Sequence, residues 1–157
     1  MKLKILFLLF FVPVWAFSQK KSAEEIQAMI SDKNFIVEAS QAFGGRGRMI
    51  YLDPGYTLVV RPAQVIGNLP FFGRSYTSTP GNTDIGLKFD ISEFSYEVKP
   101  RKKKGWDVTI ETTGSGEDVR SIYLTIQETG NVSMRIISNG KDSMTYNGMI
   151  KESTPPN

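Results

Sequence analysis

The sequence predicts a mainly β protein: one antiparallel meander of about eight to ten strands, curled into an open barrel or a sandwich, with one short helix before it. Apolar and polar residues alternate through most of the last third of the chain, which is the period of a half-buried antiparallel sheet. Turn-forming pairs such as Asn139-Gly140 separate these alternating runs. Helical spacing of apolar residues occurs near the N-terminus, after a capping motif. The sequence does not distinguish a barrel from a sandwich, since either covers the apolar face of such a sheet.

Residues 1–18 are predicted to be a secretory signal peptide. Lys2 and Lys4 form a positive start, an apolar run of about thirteen residues follows, and small residues provide the exit. A membrane-spanning helix needs about 20 apolar residues, so we expect cleavage before Gln19 and no retained transmembrane anchor. The protein is therefore expected to be exported to the periplasm or the cell envelope and to be soluble there.

The mature chain, residues 19–157, is predicted to form one β-rich domain with its core at about 34–151 and a short polar tail. No internal repeat or linker divides it. The sequence contains no cysteine, so disulfides cannot contribute, and a chain of this length can be stabilised by its apolar core alone.

The composition excludes several classes of function. The 19 basic and 16 acidic residues give a net charge of +3, which falls to +1 (17 against 16) without Lys2 and Lys4. This balance is too even for the positive field that nucleic-acid binding requires. With neither cysteine nor histidine, the chain has no thiolate nucleophile, no histidine-based triad and no usual zinc site. We therefore expect no nucleic-acid partner and no zinc site. No motif in the sequence predicts another metal or a cofactor, so we expect neither.

The predicted helix starts at Ser22-Ala23-Glu24-Glu25. This tetrapeptide fits a capping box, in which serine and glutamate side chains each accept a hydrogen bond from a free backbone N–H. Ile26, Met29 and Ile30 then fall on one helical face, and we expect the helix to end near residues 32–34.

The middle of the chain is predicted to contain shorter, less regular strands. Three glycines between residues 41 and 48 favour a loop or a bent strand start after the strand Phe35–Ala39. Asp53-Pro54-Gly55 is a turn motif, so Met49–Leu52 and Tyr56–Arg61 are predicted to pair as a hairpin. The remaining predictions here are a strand at Ala63–Asn68, a loop at Thr77–Asp84 and a strand at Ile85–Ile91.

The last third is predicted to contain the most regular strands, because its apolar residues recur at every second position. These residues are Phe94, Tyr96 and Val98, then Trp106, Val108 and Ile110, then Ile122, Leu124 and Ile126, then Val132, Met134 and Ile136. A final strand is expected at about Ser143–Lys151.

The stretch Leu69–Tyr76 is the first candidate site, because it concentrates three aromatic residues, a proline, a glycine and an arginine. In the favoured interpretation Phe71, Phe72 and Tyr76 are core side chains and Gly73 allows a tight bend. In the alternative they line the mouth of a curved sheet, where Arg74 meets a polar or anionic ligand. Packing does not explain Arg74, so the ligand-binding hypothesis depends on it.

Two further groups of charged residues are candidates. The run Arg101, Lys102, Lys103 and Lys104 lies at a predicted hairpin tip and could contact an anionic surface, although a solvated turn is the favoured interpretation. Asp84, Asp90 and Glu93 could supply carboxylates for a hydrolase, but no spacing singles out an acid–base pair.

These residues resemble a known family, domain of unknown function 4251, over about residues 34–150. The matching motifs are Gly47-Arg48, Asp53, Tyr56, Leu69–Tyr76, Gly86–Asp90, Lys102–Trp106, Gly130-Asn131 and Asn139. The resemblance implies an exported envelope protein of Bacteroidetes-type bacteria. Many relatives carry a lipid-accepting cysteine at the signal exit, where this chain has Ser18-Gln19. The family has no established activity, so it supplies no catalytic residues.

Three functional hypotheses follow. The leading one is a non-catalytic envelope protein that binds a small molecule, a glycan or another envelope protein. The alternatives are a carboxylate-dependent hydrolase of glycans or peptides, and an interaction module that uses the basic hairpin at anionic surfaces.

Overall fold

The computed structural model describes residues 22–44, 47–76, 86–116 and 118–153. Helix α1 spans Ala23–Ser31. The strands are β1 (Phe35–Phe43), β2 (Met49–Tyr51), β3 (Thr57–Arg61), β4 (Gln64–Pro70), β5 (Gly86–Ile91), β6 (Phe94–Pro100), β7 (Trp106–Thr112), β8 (Val119–Ile126), β9 (Asn131–Ser138) and β10 (Met144–Glu152). The predicted signal peptide, the predicted loop at residues 77–84 and the end of the C-terminal tail lie outside the described residues.

Helix α1 begins with the predicted capping box. The backbone N–H of Glu25 donates to the Ser22 hydroxyl over 3.2 Å, and the Ser22 N–H donates to the Glu25 carboxylate over 3.1 Å. Ile26, Met29 and Ile30 form the buried face. Both the start and the buried face of the helix are therefore confirmed.

The ten described strands form one antiparallel sheet that is nearly closed into a barrel. Nine of them follow the order β5-β4-β3-β1-β10-β9-β8-β7-β6, and β2 pairs with β1 outside this order. The mainly β prediction with a short N-terminal helix is confirmed, and of the two predicted shapes the sheet adopts that of a nearly closed barrel. Consecutive strands pair along most of the sheet, but β1 lies between β3 and β10. The first and last strands of the domain are therefore paired at the middle of the sheet.

The predicted hairpin between residues 49–52 and 56–61 is wrong. Strands β2 and β3 both pair with β1, in registers that place Gln41 opposite Tyr51 and Glu38 opposite Thr57. The physical reason is the length of β1, which continues to Phe43 rather than ending at Ala39. Its two halves provide edges for two short strands, and the turn at residues 53–55 connects them without reversing the chain.

Apolar side chains fill the interior of the barrel. The largest fully buried ones include Phe35, Leu58, Ile91, Ile122, Leu124, Met134 and Tyr146. Helix α1 packs at the end of the barrel where β1 begins: the Tyr96 hydroxyl on β6 donates to the Ile30 carbonyl over 2.8 Å, and a Cβ at Gly130 would lie 3.9 Å from Ile26. No helix in the described part of the chain is long and apolar enough to cross a membrane.

Candidate functional site

We call Leu69–Tyr76 the cap segment: it begins as the last residues of β4 and then contacts the loop between β9 and β10, at the opposite end of β9 from the Gly130 turn that faces α1. Its backbone is bonded to the loop between β9 and β10: the Tyr76 N–H donates to the Gly140 carbonyl over 2.8 Å, and the Asp142 N–H donates to the Arg74 carbonyl over 2.9 Å. The buried Tyr146 hydroxyl donates to the Pro70 carbonyl over 2.8 Å. The cap segment is therefore fixed to the last hairpin of the sheet.

The structure separates the four residues that were predicted as a ligand site in this segment. Phe71 is 7 % exposed and belongs to the core, with the Lys141 ammonium 5.9 Å from its ring centre. Phe72 and Tyr76 are 41 % and 71 % exposed, and Arg74 is exposed as well. The core interpretation is therefore confirmed for Phe71 and wrong for Phe72 and Tyr76, which lie on the surface with Arg74. Ligand contact by these residues stays a prediction.

Asp142 holds the cap segment in place. Its carboxylate accepts from the Tyr76 hydroxyl over 2.7 Å and from the Arg74 N–H over 2.9 Å. The hydrogen bond from Tyr76, then that from the Arg74 backbone, lowers the pKa of Asp142, and the same phenol contact raises the pKa of Tyr76. A Cβ at Gly73 would lie 2.8 Å from both Asp142 and Phe71, which explains the glycine. Asp142 was not predicted from the sequence, where its position just after the Asn139-Gly140 turn was the available signal.

The basic hairpin is less positive than its composition suggests. Arg101 lies 3.3 Å from the Asp107 carboxylate, and Lys104 lies 3.6 Å from that of Glu128. Lys102 and Lys103 are exposed at the tip. Two of the four predicted surface-contact residues are thus next to opposite charges.

Two of the three candidate hydrolase carboxylates, Asp90 and Glu93, belong to the described residues, and both are exposed. Asp84 lies outside the described residues. Both oxygens of exposed Asp90 accept from the Gln64 amide, over 2.8 and 3.0 Å, and Glu93 is exposed in the connection between β5 and β6. Asp90 is therefore positioned by a strand neighbour.

A polar depression lies on the outer face of β1, β10 and β9, with a volume of about 560 Å³. We call it the amide groove and define it by its polar side chains, which are Ser40, Gln41, Gln127, Asn131, Ser133 and Asn147. Met149 also lines it. Every lining residue that the structure describes is uncharged, and the neighbouring Glu38 forms an ion pair with Lys151. This groove was not predicted from the sequence.

A β-bulge in β1 creates one wall of the amide groove. The register with β10 shifts between Ala39 and Gln41, so that Ser40 is the extra residue. Ala39 and Ala42 are buried, and Ser40 and Gln41 both line the outer face. The Ser40 carbonyl accepts from the Leu52 N–H over 3.0 Å, which fixes the bulge to the segment after β2. The sequence signal for the bulge was the pair Ser40-Gln41. These two consecutive polar residues lie between Ala39 and Ala42 and interrupt the alternation of apolar and polar residues.

Glycine is required where β10 passes the bulge. Gly148 pairs with Ala39, and a Cβ built on Gly148 would overlap the carbonyl oxygen of Glu38. The two backbones can approach this closely only without a side chain at residue 148.

The side chains of the groove are connected by long hydrogen bonds. The Asn147 amide donates to the Gln41 side-chain oxygen over 3.5 Å, and the Ser40 hydroxyl donates to the Asn147 carbonyl over 3.4 Å. Asn131 donates to Thr129 over 3.0 Å in the β8–β9 turn. A side-chain amide has two N–H donors and an oxygen acceptor, so these contacts leave capacity on both Asn147 and Gln41. The groove can therefore present neutral donors and acceptors to a ligand.

Comparison with known proteins identifies relatives of unknown function. The family model described as Domain of unknown function (DUF4251) matches residues 18–150. The crystal structure of a DUF4251 family protein from Bacteroides eggerthii DSM 20697 is similar, with a TM-score of 0.60 and 15 % sequence identity, over 83 % of this chain and 87 % of that chain. At this identity the likeness extends to the fold alone. No curated protein matches the sequence.

Proposed function

Since this chain belongs to the DUF4251 family, whose function is unknown, we propose a function from its own geometry: a non-catalytic binding domain of the cell envelope that holds a neutral glycan in the amide groove. The observation that carries the proposal is the uncharged, amide- and hydroxyl-bearing lining of that groove. Carbohydrate hydroxyls both donate and accept hydrogen bonds, as amides do, so the two surfaces are complementary without any charge.

The position of the amide groove supports a glycan over a peptide strand. Extended peptides commonly bind by adding to an open sheet edge through backbone hydrogen bonds. Strands β1, β10 and β9 each have neighbours on both sides, so their backbone groups are used in the sheet. Recognition there depends on side chains, which suits a ligand with many hydroxyl groups.

The filled barrel supports an outer-face site. Buried apolar side chains such as Leu124, Met134 and Tyr146 occupy the interior, and α1 and the cap segment lie at opposite ends of β9. A ligand the size of a sugar would have to displace this core to enter. Binding on the outer face requires no such rearrangement.

The signal-like residues 1–18 support export, and therefore a ligand of the periplasm or the envelope. The two candidate hydrolase carboxylates that the structure describes, Asp90 and Glu93, lie exposed on the surface, and the Gln64 amide donates to Asp90. These positions favour binding without turnover.

An oligosaccharide array, followed by calorimetry on the strongest binder, tests the proposal. We expect the protein to retain neutral glycans, and Asn147→Ala to weaken that binding about tenfold, the equivalent of one lost hydrogen-bonding group. The matched control is Asn68→Ala, because Asn68 is an exposed asparagine on the outer face of β4. This variant should bind glycans as the unaltered protein does. Equal binding by both variants would refute the site, and release of shortened sugars would refute the non-catalytic assignment.

A further inference from the structure

We propose that Tyr51 extends the amide groove as a stacking platform, so that the site accepts an oligosaccharide chain rather than a single sugar. This inference rests on the proposed function and adds a residue, a direction and a minimum ligand length to it. It follows from the register of four strands.

Four outer-face side chains lie in one row across the sheet. Ser133 pairs with Asn147, Asn147 with Gln41, and Gln41 with Tyr51. Neighbouring strands are separated by about 4.8 Å, so the row spans roughly 14 Å from β9 to β2. This length exceeds one sugar ring, and a ligand that contacts both ends of the row must be a chain.

Tyr51 is an exposed aromatic side chain on a fixed backbone. It is 74 % exposed, and Met49, two residues earlier on the same face, is 44 % exposed. Strand β2 is held against β1 by its ladder and by the hydrogen bond from the Leu52 N–H to the Ser40 carbonyl. Single exposed apolar side chains are common on protein surfaces. Tyr51 differs because the register puts it directly beside Gln41, which lines the groove.

The chemistry of the row changes along its length in the manner that a sugar chain requires. Asn147 and Gln41 offer donors and acceptors for hydroxyl groups, while the Tyr51 ring offers a flat apolar surface. A pyranose ring has hydroxyls at its edge and C–H groups on its face. One unit can therefore hydrogen-bond in the groove while another unit of the same chain stacks on Tyr51.

The test is a chain-length series. Calorimetry would use neutral gluco-, manno- and galacto-oligosaccharides, from disaccharide to hexasaccharide, with the unaltered protein and with Tyr51→Ala, Tyr51→Phe, Tyr76→Ala and Tyr123→Ala. For the series that the protein binds, affinity should rise with length, and Tyr51→Ala should lower the affinity for the hexasaccharide about tenfold while the disaccharide is unaffected. Tyr51→Phe keeps the ring and should preserve the affinity.

Tyr76→Ala tests the cap segment as the competing site, and Tyr123→Ala is the matched control, because Tyr123 is an exposed tyrosine of β8 that lies outside the residues lining the amide groove. Binding by the control should equal that of the unaltered protein. A thermal melt of each variant establishes that it is folded.

The outcomes separate this inference from the proposed function. If Asn147→Ala weakens binding and Tyr51→Ala does not, the groove binds a glycan without Tyr51, and the inference alone is overturned. If Tyr76→Ala loses affinity instead, the cap segment is the site. If the unaltered protein binds no oligosaccharide, or takes up an extended peptide instead, the proposed function fails as well.

Discussion

The hydroxyl of Tyr76 donates a 2.7 Å hydrogen bond to Oδ1 of Asp142, joining two segments that lie 66 residues apart in the chain. The same carboxylate accepts from the Arg74 N–H, so one side chain fixes both the backbone and the aromatic ring of the cap segment. Because this contact lies on the surface, we expect it to stabilise the cap segment and to contribute little to the rest of the sheet.

Asp142→Asn should loosen the cap segment and change the response of the protein to acid. The pKa of Asp142 is lowered below its ordinary value of 3.8, so its contribution to stability is complete above that pH and is lost as the pH falls through the lower folded-state value. The variant should be less stable than the unaltered protein at neutral pH, and the difference should shrink in acid. Urea denaturation at a series of pH values measures it, and a difference that grows in acid would contradict the assignment.

Hydrogen exchange at residues 71–76 gives a separate readout for that variant. Faster exchange at Arg74 and Tyr76, with unchanged exchange in β7 and β8, is expected if Asp142 acts on the cap segment alone. Uniform acceleration across the sheet would mean that the carboxylate supports the whole fold.

The basic hairpin should bind anionic membranes only through its tip. Lys102 and Lys103 are exposed, whereas Arg101 and Lys104 lie next to Asp107 and Glu128. Because each cation near an anionic surface contributes about 1 kcal/mol, the two free lysines allow adsorption that physiological salt largely screens. Co-sedimentation with phosphatidylglycerol vesicles at low salt should decrease on substituting both lysines with serine.

Arg120→Ser is the control for that experiment, since it removes an exposed cation from β8, at the other end of the β7–β8 pair from the tip. It should leave the sedimented fraction nearly unchanged. Adsorption that persists in 0.5 M salt, or that both substitutions reduce equally, would argue against contact through the hairpin tip.

Elements that depend on residues close together in the chain were predicted correctly, whereas strand pairings between distant residues were not. The capping box at Ser22 and the alternation of Val108 and Ile110 act within a few residues, and both predicted their elements correctly. The pairing of β1 with β10 joins Phe35 to Glu152, and nothing in either strand specifies the other. The course of β2 depends on that long-range arrangement, which is why the predicted hairpin failed.

The site was less predictable than the fold for a similar reason. The Leu69–Tyr76 stretch is conspicuous in sequence, but its composition does not separate buried Phe71 from exposed Tyr76. The amide groove is assembled from three strands, and Gln41 reaches it only because of a bulge. The Ser40-Gln41 pair marks a break in the alternation of β1. Only the register of β1 with β10 shows that Gln41 lies opposite Asn147.

Gly148→Ala should test whether the bulge and the groove depend on the close approach of β10 to β1. A methyl group at residue 148 would overlap the Glu38 carbonyl oxygen, and relief of that overlap requires β1 or β10 to move. We expect a loss of about 1–3 kcal/mol in the free energy of unfolding, the usual range for an overpacked position.

Gly86→Ala is the matched control: residue 86 also lies in a strand, and the new Cβ would meet its nearest neighbours at 3.6 Å, an ordinary contact. Urea denaturation should therefore separate the two variants, with Gly86→Ala close to the unaltered protein. Because Gly148 lines the amide groove, a folded Gly148→Ala protein should also bind oligosaccharides less well, whereas Gly86→Ala should not. Equal stability of the two variants would mean that the strands separate at no cost, and the bulge would then not be what fixes Ser40 and Gln41 in the groove.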